Sequence, residues 1–112
     1  MPDFEARLAK ACESALRETL GQIGFASTVF HLSRNGISMQ DCARRASEFD
    51  DALSAVFNPS VATFIEYKIL SRFYKENSID GFGWKDSLDF VDEVRRAREA
   101  FSSGNIERGE TR

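Results

Sequence analysis

Proline occurs twice in 112 residues, histidine and tryptophan once each, and cysteine twice. With so few breakers, long stretches are free to be helical. A single histidine means that any His-based catalytic or metal site must centre on His31, and no Cys or carboxylate stands three or four residues away to orient it. Cys12 and Cys42 form no C-x-x-C and fall within helical patterns, which points to small buried thiols in a reducing cytoplasm rather than to a disulfide or a zinc site. No apolar run approaches the roughly 18 residues of a membrane-crossing helix, and the opening Met-Pro-Asp-Phe-Glu resembles neither a signal nor a transit peptide. Positive charge is in the minority: the net charge is −3, which argues against a domain that binds nucleic acid by neutralising many phosphates. The expectation is a cytoplasmic protein without a membrane segment, cofactor or metal.

What the chain does have is phenylalanine, ten residues of it, enough to give each expected helix a bulky anchor. The fold class expected is all-α, a compact bundle of about five helices. Residues 1–101 form one domain, and 102–112, with Ile106 alone among Ser, Gly and charges, form a disordered tail. Phe4, Leu8, Cys12, Leu16 and Leu20 recur every four residues with Ala11 and Ala15 between them, predicting a first helix from Asp3 to Leu20. Gly21 ends it as a left-handed C-terminal residue. Glu13 is placed to pair with Arg17. A shorter helix carrying Ala26, Val29, Phe30 and Leu32 stops at Asn35-Gly36. Ser38 to Asp41 resembles a capping box and opens a third region, one helix or two, with a break near Ala46 and a second cap at Ser47.

The centre of the bundle is expected at residues 59–75. Asn58 caps this helix and Pro59 occupies its first turn, where a missing N–H costs nothing. At about 100° per residue, Val61, Ala62, Ile65, Ile69 and Phe73 share a core face. Phe64, Tyr67, Leu70 and Tyr74 gather on a second, and Lys68, Ser71, Arg72 and Lys75 are left for water. The second face is either covered by other helices or open to a partner, so these four residues, with Trp84 from the following loop, are the candidate interface. That loop, 78–86, is pinned to the body by Ile79, Phe82 and Trp84. The last helix is capped by Asp86 or Ser87, with Phe90, Val91, Val94, Ala97 and Phe101 inward and Asp92 paired to Arg96.

Recognisable chemistry is sparse. Gly81-Phe82-Gly83 lacks the strand and the Lys-Ser/Thr ending of a phosphate loop, and the acidic pairs do not match a calcium loop. Arg44-Arg45, the Arg95 to Arg98 cluster and the Lys68 to Lys75 strip are the material for an anionic partner, against the plainer reading of solvated faces balanced by neighbouring acids. A Cys42–His31 nucleophile pair has no local support.

The order of segments is nevertheless familiar: S-A-L-R-E-T-L-G-Q-I-G-F from Ser14, F-H-L-S-R-N-G-I from Phe30, E-F-D-D-A-L-S-A-V-F-N-P-S-V from Glu48, I-E-Y-K-I-L-S-R-F-Y from Ile65 and D-F-V-D-E-V-R-R-A-R from Asp89. Over residues 10 to 100 it resembles small archaeal helical domains of unknown function related to the Nitrosopumilus-type signalling output domain, with Asn58-Pro59 where a glycine is expected. The resemblance implies regulation or signal output through contacts with another protein and carries over no catalytic residue; from the residues themselves, a homodimer that meets through the aromatic face of the 59–75 helix and the Trp84 loop is expected, or contact with a signalling protein. The alternatives are a helical DNA-binding regulator using the arginine clusters and a small enzyme built on His31 and Cys42.

Overall fold

The computed structural model describes residues 3–83 and 88–110, with the side chains of 4–83 and 88–103. Among them are five helices and no strand: α1 (Asp3–Arg34), α2 (Asp41–Arg44), α3 (Ala46–Val56), α4 (Pro59–Glu76) and α5 (Phe90–Glu110). The chain is the expected all-α bundle.

Helix α1 has two limbs, because Gly21 sits at φ 76°, ψ 176°. The positive φ matches the expected stop, but the ψ value is extended rather than left-handed helical, a region open almost only to glycine. The helical pattern resumes at once instead of ending in a cap. Were α1 straight, Arg34 would lie about 33 Å beyond Cys12, and the residues from there to Met39 span at most about 18 Å. Yet the Cys12 thiol donates to Met39 Sδ at 3.6 Å, so the second limb folds back toward the first. Arg17 fastens the bend, donating to Gln22 Oε1 at 2.7 Å and lying 4.3 Å from the Phe25 ring centroid. A Cβ on Gly24 would come within 2.8 Å of Leu20 Cβ, so this position too must stay small.

The second limb closes with a Schellman motif: the Ile37 N–H reaches the Leu32 carbonyl and the Gly36 N–H the Ser33 carbonyl, both at 2.9 Å. Ser38 donates its backbone N–H to Asp41 Oδ2 at 2.9 Å, the expected half of a capping box. The third region does break, at Arg45 (φ −131°, ψ 56°). This residue occupies the cap position of α3, so Ser47 is not the cap. Asn58 caps α4 through Val61 N–H at 2.9 Å. Helix α4 ends in a second Schellman motif with Ser78 at φ 56° and Ile79 N–H on the Tyr74 carbonyl at 2.9 Å.

Helix α5 begins at Phe90, with Asp89 Oδ1 accepting from Asp92 N–H. Asp89 therefore caps it; the expected caps Asp86 and Ser87 lie outside the described residues. The backbone stays helical to Glu110, past the Ser102 at which a disordered tail is expected. Once Phe90 to Phe101 have nucleated the helix, each further residue adds a hydrogen bond without a new nucleation cost.

All five helices contribute to one core. Phe4, Leu8, Ala11, Cys12, Ala15 and Leu16 are buried from α1, and Ala62, Ile65, Ile69 and Phe73 from α4, as their spacing predicts. The broadest packing is between α1 and α4, which therefore share the centre; α4 also touches α3 and α5. Phe4, Phe73 and Phe101 meet with centroids 5.2 to 6.1 Å apart, joining α1, α4 and α5. Phe49 and Phe90, 5.7 Å apart, join α3 to α5. Val61 and Val91, expected on core faces, are exposed, since both stand at the margin of their helix's buried arc.

Candidate functional site

The candidate interface residues on α4 divide. Leu70 is fully buried and Tyr74 nearly so, because Leu70 stands only about 60° around the helix from Phe73 and is drawn into the same core. Tyr74 is capped by Phe82 from the loop, their centroids 5.0 Å apart, and Tyr67 stacks on that ring at 5.5 Å. The loop is thus pinned by Phe82 and Ile79 as expected. Of the four, Phe64 alone is classed as exposed, at 46%. Trp84 lies outside the described residues.

Glu66, assigned from the sequence to no face of this helix, is buried to 1% exposure. Ala62, Ile69 and Leu70, four before and three and four after it, are all core residues, so the carboxyl has no route to water along its own helix. Its Oε2 is buried without a hydrogen-bond partner among the described residues. Burial, then the hydrogen bond to Asp50 of α3, then the Asp50 charge push its pKa up to about 10. Glu66 is therefore protonated at neutral pH and donates to Asp50. Glu66 also acts on the Cys42 thiol: burial, hydrogen bonding to Cys12, and the charges of Cys12 and Glu66 hold Cys42 well above the ordinary thiol range. A thiol so placed is a poor nucleophile. His31 is exposed against Phe30, with centroids 5.7 Å apart, and does not figure among the groups acting on Cys42. The pairing of His31 with a reactive Cys42 is thereby left without a base or a thiolate. Among the described residues no cluster of three or more His, Cys, Asp or Glu could hold a metal ion, and no helix is long and apolar enough to cross a membrane.

The three basic clusters also divide. Arg44 lies 3.8 Å from Glu5 and donates to Gln40 Oε1 at 2.8 Å, while Arg45 lies 3.6 Å from Asp41. Arg95 is held by Asp92 and Glu99, Arg96 by Asp92 at 2.8 Å as its spacing predicts, and Arg98 by Glu5 at 3.8 Å while covering the Phe4 ring. Each of these arginines has a carboxylate within 4 Å, with Glu5 and Asp92 each shared by two of them. The third cluster differs. Arg72 is claimed by Glu18 at 2.7 Å and Glu76 at 2.8 Å, but Lys68 and Lys75 on either side have no carboxylate in ion-pair range among the described residues. They line a hollow of about 540 Å³ with Glu18, Ser71, Arg72 and Glu76.

The largest exposed apolar side chains lie on the second limb of α1. Ile23 is 87% and Phe30 58% exposed, and the limb instead buries Thr28 and Leu32, with Thr28 Oγ1 returned to the Gly24 carbonyl at 2.8 Å. Ile23, Ala26, Ser27 and Phe30 follow the i, i+3, i+4, i+7 spacing of a single helix face, and all four are exposed. No protein-family profile, curated protein or solved structure matches the chain.

Proposed function

We propose that this chain is a non-catalytic regulatory or signal-output module of the cytoplasm that works by protein contact, pairing with a second copy of itself through the second limb of α1. The observation that carries this reading is the outward face of that limb, where Ile23 and Phe30 stand in water on either side of Ala26 and Ser27. Large side chains at the ends and small ones in the middle make the face self-complementary. Under a two-fold axis at Ala26 and Ser27, Ile23 of one copy meets Phe30 of the other, and the small residues let the helices approach. Burying each large side chain stabilises by about 1.5–3 kcal/mol, a strong reason for such a face to be covered. The order of sequence motifs, with its resemblance to a signal-output domain, points the same way.

Sedimentation at tens of micromolar tests it. The wild type should run as a dimer and Ile23→Asp/Phe30→Asp as a folded monomer; a wild-type monomer at that concentration would sink the self-association.

A further inference from the structure

A second surface lies along the seam of α1 and α4. The hollow at Lys68, Arg72 and Lys75 adjoins another of about 560 Å³ lined by Ala6, Arg7, Lys10, Glu76 and Asn77, and Glu76 belongs to both. Together they make a groove that carries five cations against two carboxylates, Glu18 and Glu76, on a chain whose net charge is −3. Both carboxylates are spent on Arg72, and Arg7 donates to Asn77 Oδ1 at 2.7 Å. Lys10, Lys68 and Lys75 are left without a carboxylate in ion-pair range among the described residues. From Lys68 to Asn77 the helix rises about 14 Å, too long for one compact anion and suited to an extended one. Its amino-terminal end is apolar, since Val61 and exposed Phe64 continue the Lys68 stripe one and two turns earlier.

We infer that the α1/α4 groove receives an acidic peptide segment of a protein partner, with an apolar residue against Phe64 and carboxylates along Lys68, Lys75 and Lys10. Lys68 and Lys75 stand about 10.5 Å apart along the helix, and three residues of an extended peptide cover about 10 Å. The Ser71 hydroxyl, which lines the groove, can accept a backbone N–H group from such a segment. A phosphodiester backbone has no such donor. The inference rests on the interaction-module reading in taking the partner to be a protein, but it uses a different surface from the self-association.

Fluorescence anisotropy of the full chain with a labelled peptide, Leu-Phe followed by five Glu alternating with Ser, tests it at low salt. Saturable binding is expected that weakens at least about fivefold in Lys68→Glu/Lys75→Glu and with added salt. Phe64→Ala should weaken it at every salt concentration. Lys68→Gln/Lys75→Gln, which only removes charge, should fall between wild type and the reversal. Absence of binding, binding indifferent to the lysine substitutions, or tighter binding of a single-stranded DNA 12-mer would overturn the inference. Sedimentation of the lysine variants separates the two readings, because their self-association should be unchanged.

Discussion

Glu66 shows most sharply how one residue can oppose its surroundings. With a carboxyl pKa of about 10 in the fold against an ordinary 4.5, the folded state holds a proton that the unfolded chain gives up. The raised value means that the contribution of this group is fully present below about pH 4.5 and is lost as pH rises toward 10, at about 1.4 kcal/mol per unit. Glu66→Gln keeps the shape and a donor toward Asp50 and has no proton to lose. Urea titrations should therefore show the variant gaining on the wild type as pH rises, by a few kcal/mol near pH 8. A difference that stays constant from pH 5 to 9 would contradict the buried neutral carboxyl. Asp50 acts on Glu66 and Glu66 in turn on Cys42, so the double variant Glu66→Gln/Asp50→Asn separates the carboxyl pair from the thiol.

Among the elements, α1 depends on a single backbone position. Its two limbs are each ordinary amphipathic helix, but their reversal needs Gly21 at φ 76°, ψ 176°. No atom lies within 4 Å of a Cβ built there, so the cost of Gly21→Ala is backbone strain alone, about 1–3 kcal/mol. A lowered urea midpoint with an unchanged slope is the expected reading; unchanged stability would mean that the bend tolerates ordinary residues. The cap signals at Asn58, Ser38 and Asn35-Gly36 are local, acting over three or four residues, and could be read directly. The continuation of α1 past Gly21 could not, because a glycine that ends a helix and one that folds it back look alike without the contacts of Arg17, Phe25 and Met39.

At the scale of the whole molecule, the bundle chooses which part of each apolar arc it covers. Leu70→Asp puts a charge into the core and should unfold the chain or cost about 3 kcal/mol or more, whereas Phe64→Asp should change stability by no more than about 0.5 kcal/mol. Thermal melts of the pair check this. Equal losses would show that Phe64 is covered in the folded protein. The same choice places Phe82 over Tyr67 and Tyr74, closing most of the second face of α4 from within, and leaves Ile23 and Phe30 outside although their spacing alone would pass for a core stripe.

By itself the sequence determines the all-α class, the start of α4, the buried stripe of the first limb and the Glu13–Arg17 and Asp92–Arg96 pairs. Each depends on backbone preference or on neighbours within one helical turn. Only the tertiary structure decides that Leu70 is core and Phe64 surface, that Glu66 is buried and neutral, and that the lysines beside Arg72 have no carboxylate in ion-pair range among the described residues. Those outcomes depend on which helix, carried in from distant sequence, comes to cover each side of α4.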